Sequence, residues 1–158
     1  MNNQQRPEIK LVGISARTNN EAEMDPARGK IGPTIHQYDH EKIADKILNK
    51  THPGVTYCVY TDYADNHFGD YTYFVGEEVD SFDNLPEGLV TLTIPAQKYT
   101  VFTNEPGPMP QVCINMWMQI WSDPDLTAKR AYLADFEIYD RRARDPKSTV
   151  LDIYLGVL

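Results

Sequence analysis

The sequence predicts an α+β protein made of two β-α-β-β halves related by a pseudo-two-fold axis. An antiparallel sheet, two packing helices and a central cleft complete the expected architecture. Three observations carry this. Short apolar runs of strand composition recur along the chain, with only two stretches of helical periodicity between them. Tyr57-Cys58-Val59-Tyr60 lies 79 residues before Phe136-Glu137-Ile138-Tyr139, and Tyr73-Phe74-Val75-Gly76 lies 80 before Ile153-Tyr154-Leu155-Gly156. A period of that length marks a duplicated unit rather than a solenoid. With 158 residues, the chain is expected to be one domain with half-repeats over about 9–84 and 89–158.

The elements follow in order. Ile9 to Ser15 is a short apolar run and the first expected strand. Residues 16–33 are polar, with Pro26, Gly29, Gly32 and Pro33 marking a loop. Ile35, Tyr38, Ile43, Ile47 and Leu48 form a helical stripe over 34–49, which Pro53-Gly54 stops. Strands 55–60 and 70–75 flank an acidic turn, and Leu85-Pro86-Glu87-Gly88 closes the first half. The second half begins with strands at 89–94 and 98–103, split by Pro95-Ala96. A strongly apolar helix over 109–122 carries Trp117 and Trp121. Strands at 135–140 and 149–157 then flank the basic turn Arg141–Lys147.

Charge and composition exclude several classes. The net charge of −8 argues against direct nucleic-acid binding, where phosphate contacts need a basic surface. Between Lys50 and Lys98 there is no Lys or Arg, but there are eight acids, from Asp62 to Glu87. Such a stretch forms a solvated rim that also draws in small cations. No run approaches the ~20 apolar residues needed to cross a bilayer, and the first residues lack the apolar core of a signal peptide. Cytoplasmic residence is therefore expected. Cys58 and Cys113 lack metal or redox spacing and read as small hydrophobes.

The anomaly is Glu137, an acid within the strand Asp135-Phe136-Glu137-Ile138-Tyr139. Side chains alternate along a strand, so Glu137 and Tyr139 share a face. Either that face is wet, or the two line a pocket where an aromatic wall and one negative charge await a cation. Burial disfavours the ionised carboxylate, and tyrosine hydroxyls can hold it. Pseudo-symmetry adds Tyr60 opposite. Tyr73 and Tyr154, in the terminal strands of the two halves, are further candidates. Trp117 and Trp121 lie one helical turn apart, serving either the core or the pocket.

These motifs, taken in order, resemble a known family. Val12-Gly13-Ile14-Ser15, Tyr57-Cys58-Val59-Tyr60-Thr61-Asp62-Tyr63, Gly69-Asp70-Tyr71 and Val75-Gly76 carry the likeness in the first half. Leu85-Pro86-Glu87-Gly88, Ile94-Pro95-Ala96-Gln97-Lys98-Tyr99, Trp117-Met118-Gln119-Ile120-Trp121 and Asp135-Phe136-Glu137-Ile138-Tyr139 carry it in the second. Together they resemble the gyrase-inhibitor-like effector-binding domains, also found as ligand-sensing halves of transcription activators. Within these, the chain resembles the stand-alone, integron-cassette-associated branch. The resemblance implies a cationic, amphipathic small-molecule ligand held in an aromatic pocket with Glu137 at its floor. It also implies that His36 stands where the branch often has a tryptophan, giving a smaller and more polar wall.

Other readings stay open. A second reading, implied by hydrolase relatives of that superfamily, makes Glu137 a general base, with Tyr139 or Tyr60 assisting, acting on strained electrophilic rings. A third reading has the acidic middle stretch dock a basic protein. His36 and His40 have i, i+4 spacing, but Gln37 stands where a zinc protease needs Glu, so a solvated helix face is expected and no metal or cofactor. There is no Gly-rich phosphate loop and no nucleophile elbow. With the first strand near residue 9, a transcriptional role is expected to need a protein partner such as a DNA-binding regulator. Strand edges leave a homodimer open.

Overall fold

A computed structural model describes residues 2–158; the side chain of Asn2 is not included. Eight strands form one antiparallel sheet. They are β1 (Asn2–Arg6), β2 (Ile9–Thr18), β3 (Thr56–Thr61), β4 (Tyr71–Glu78), β5 (Val90–Ile94), β6 (Gln97–Thr103), β7 (Ala134–Tyr139) and β8 (Asp152–Val157). Their spatial order is β1-β6-β8-β7-β3-β4-β2-β5. The order reads the same from either end once each strand is exchanged for its repeat, so the duplication is visible in the topology. The pseudo-two-fold axis passes between β3 and β7, where Cys58 pairs directly with Glu137.

Two prolines make the halves interlock. Pro7 separates β1 from β2, and Pro95 separates β5 from β6. Proline has no N–H to give to a ladder, so the chain turns off at each. As a result β1 pairs with β6 of the second half, while β5 pairs with β2 of the first. Gly13 and Gly76 face each other across β2 and β4. A Cβ on Gly13 would come within 1.9 Å of the Val75 carbonyl oxygen, so no larger residue fits there.

Five α-helices are present among the described residues, α1 (Asn20–Glu23), α2 (Ile31–His40), α3 (Ile43–Lys46), α4 (Gln111–Trp121) and α5 (Pro124–Lys129), with one short 3-10 turn at Arg141–Ala143. The stripe over 34–49 is thus two helices. Lys42 between them is left-handed, with φ of 51°, and interrupts the ladder. Part of the expected loop at 16–33 is also ordered, because Asn19 caps α1 by accepting from the Ala22 N–H. Strand β1 was not expected from its polar composition. It forms because β6 offers an unpaired edge, a tertiary cause that periodicity does not reveal.

Three clusters make the core. One face of the first half packs Val12, Ile14, Tyr73 and Val75 under Tyr38 of α2 and Ile43 of α3. The same face of the second half packs Ile153 and Leu155 under Met116, Trp117 and Ile120 of α4. The third cluster fills the other face with strand residues alone, including Leu11, Val59, Phe74, Tyr99 and Phe136. A sheet can bury a face without helices only by curving onto itself, as twisted sheets do. Tyr60 and Tyr139 pack against both helix-side clusters and so mark the seam between the halves. No helix among the described residues is long and apolar enough to cross a membrane.

Candidate functional site

The seam is centred on Glu137. Its strand β7 is buried along almost its whole length, since β3 and β8 flank it on either side. Glu137 is 3 % exposed. The Tyr60 hydroxyl donates to its Oε2 at 2.8 Å and the Trp117 Nε1–H donates to the same oxygen at 2.6 Å. The Tyr139 hydroxyl donates to Oε1 at 2.5 Å. The Cys113 Sγ lies 3.5 Å from that hydroxyl. Hydrogen bonds to a charged acceptor are short and strong, and these offset part of the desolvation of the carboxylate.

The surrounding rings are tilted against one another. Tyr60 meets Trp117 edge-on at 5.3 Å between centroids and Tyr73 edge-on at the same distance. Trp121 stacks on Trp117 at 6.0 Å, but is 55 % exposed, whereas Trp117 is buried. One tryptophan therefore belongs to the site and the other covers it from solvent.

Two of the predicted residues lie elsewhere. Tyr154 is on the opposite face, stacked on Phe136 at 4.9 Å with the Arg6 guanidinium 5.1 Å above its ring. The repeat itself explains this: Tyr154 matches Phe74, while Tyr73 matches Ile153, and adjacent residues point to opposite faces. His36 is exposed on the outer side of α2, where it stacks on His40 at 5.4 Å. The inward aromatic of that helix is Tyr38, whose buried hydroxyl has no hydrogen-bond partner among the described residues.

From the sequence, Cys58 and Cys113 read as small hydrophobes and Tyr38 only as part of the helical stripe, so none of the three is expected in the site. The signal for Cys58 was present, since the repeat places it at the position of Glu137, and it lies opposite Glu137 in the sheet. Cys113 and Tyr38 depend on how each helix is rotated against the sheet, which spacing alone does not set.

Burial, and after it the Glu137 charge, pushes the Tyr60 and Tyr139 hydroxyls and the Cys113 thiol up from their ordinary values. They stay protonated, and the two tyrosine hydroxyls serve as donors to Glu137. The unfolded chain releases tyrosine protons near pH 10, whereas the folded protein holds them. Their contribution to stability is therefore complete below about pH 10 and is lost as the pH rises above it. Melts followed by circular dichroism are expected to show Tm beginning to fall at about pH 9, where unfolded thiols ionise, and falling more steeply above about pH 10 as unfolded tyrosines follow. A Tm that keeps its neutral value well beyond that point would contradict these assignments.

Three buried acids lie on this sheet face. Asp135 bonds Arg130 at 2.7 Å, the Tyr63 hydroxyl and the Gly156 N–H at 2.8 Å. Glu77 has Lys50 at 3.3 Å and the Gly54 N–H at 3.0 Å. Glu137 alone has no cationic partner among the described residues. No group of three His, Cys, Asp or Glu side chains suited to a metal is found among those residues.

The seam of this duplicated sheet thus holds a carboxylate ringed by aromatic donors. The chain belongs to the family Cass2, integron-associated effector binding protein, whose model matches residues 4–157. "Putative transcriptional regulator protein YobU" of Bacillus subtilis is 28 % identical over 148 residues, covering 94 % of this chain and 91 % of YobU. The integron cassette protein VCH_CASS2 from the mobile metagenome of Vibrio cholerae superposes with a TM-score of 0.77 at 27 % identity. That match covers 99 % of this chain and 95 % of the other. SAV2435, solved bound to tetraphenylphosphonium, shares the fold with a TM-score of 0.77 at 21 % identity, covering 99 % and 93 %.

Proposed function

We propose that this protein binds cationic, amphipathic small molecules at Glu137, and so senses or sequesters them. The observation that carries this is the missing counter-ion. A buried carboxylate is costly to keep in a core, and its two counterparts on the same face each have a Lys or Arg. Glu137 has only neutral donors, all of which can yield to a positive charge. A unit charge about 4 Å away would contribute about 4 kcal/mol at an effective dielectric of about 20. The rings of Tyr60, Tyr139 and Trp117 would add roughly 0.5–2 kcal/mol each where their faces meet the cation. Because Trp117 sits on the carboxylate, the ligand must displace its indole N–H, and Trp117 becomes a direct reporter.

The ligand of SAV2435 supports the same chemical class, and the regulator name borne by YobU supports a role in transcriptional response. We extend the proposal accordingly to a DNA-binding regulator as protein partner. Tryptophan fluorescence titrated with tetraphenylphosphonium, a neutral analogue such as triphenylphosphine oxide and an organic anion tests the reading. Saturable quenching by the cation alone is the expected result. An equal response to all three would overturn charge recognition. Consumption of a neutral electrophile instead would favour Glu137 as a general base.

A further inference from the structure

Helix α4 has a second cleft on its far side. Its inner flank presents Trp117 to Glu137, while Met116 and Ile120 face β6 and line an open cleft of about 740 Å³. Val101 and Phe102 line the strand side of that cavity. The volume lies within the range of small-molecule sites, roughly 300–1,000 Å³. Among its lining residues the only charged ones are Glu105 and Asp123. Asp123 uses Oδ1 to cap α5 through the Asp125 and Leu126 N–H groups. Its Oδ2 makes no hydrogen bond or ion pair among the described residues.

We propose that this cleft is a second subsite for amphipathic organic cations, separate from Glu137. An apolar floor takes the hydrophobic body, and two rim carboxylates with no lysine or arginine between them select for positive charge. Glu105 is exposed and Asp123 only half-buried, so their attraction is screened by water and salt. The outer subsite is therefore the weaker of the two and the more salt-sensitive. It shares its ligand class with the proposed function but none of its residues, so each stands or falls alone. Both sites rest on one helix, with Met116 and Trp117 adjacent, so an occupied outer cleft braces the element that covers Glu137.

Calorimetric titration with tetraphenylphosphonium at low and high salt tests this. The wild-type protein is expected to bind two equivalents, the weaker of them losing at least tenfold in affinity at high salt. Glu137→Gln should weaken the tighter event and leave the other. The double change Glu105→Gln with Asp123→Asn, which keeps the capping oxygen, should remove the weaker event by more than tenfold and leave the tighter one. Gln119→Arg, on the exposed rim of α4, should do the same by placing a positive charge at the mouth. A single equivalent at saturation, or a weaker event untouched by both rim variants, would overturn the proposal.

Discussion

Glu137→Gln is expected to weaken tetraphenylphosphonium binding at the central site by about 1–3 kcal/mol, roughly 5- to 150-fold. The substitution keeps shape and most of the hydrogen bonding. A glutamine carbonyl in place of Oε2 still accepts from Tyr60 and Trp117, and its amide can donate to the Tyr139 hydroxyl oxygen. What disappears is the charge. The fold should not suffer, since removing a buried charge whose partners stay satisfied is often neutral or stabilising. Loss of binding with an unchanged Tm would isolate charge recognition. Affinity equal to wild type would return Glu137 to a purely structural role.

Arg130→Met is expected to have the largest effect on stability. Arg130 and Asp135 are buried together, at 6 % and 0 % side-chain exposure, with 2.7 Å between Nη2 and Oδ2. The guanidinium also lies 4.4 Å over the Tyr132 ring. Methionine fills much of the same volume but leaves Asp135 ionised in the core with only Tyr63 and the Gly156 N–H. Breaking a buried pair from one side costs about 3–5 kcal/mol. For a chain of this size that lowers Tm by about 6–20 °C. Adding Asp135→Leu should recover part of the loss, because both charges are then gone. A single variant within 1 °C of wild type would show that the pair contributes nothing. The contrast with Glu137 is the point: the same strand carries one acid with a cation built in and one without.

Strand identity was legible wherever composition and parity suffice. The runs around Tyr57, Tyr73 and Phe136 are rich in β-branched and aromatic residues, and the structure has strands at each. Parity also put Glu137 beside Tyr139, and the repeat brought Tyr60 opposite, because both rules act along the backbone. Strand β1 was not legible. Asn2-Asn3-Gln4-Gln5-Arg6 has no strand propensity and pairs only because Pro7 sends it to the other half. The break at Lys42 was equally hidden, since a left-handed lysine leaves no mark in an apolar stripe.

By itself, the sequence determined the duplicated α+β architecture, the seam between its halves and the acid at their centre. Those follow from alternation, propensity and an internal repeat, all written locally in the chain. Only the tertiary structure decided that Trp117 and not Trp121 meets that acid, that Tyr38 turns inward where His36 turns out, and that Tyr154 belongs to the other face. Only it showed that Asp135 and Glu77 have cations while Glu137 has none. The physical reason is that helix rotation and ion pairing are set by contacts between residues far apart in sequence, and such contacts exist only once the sheet has assembled.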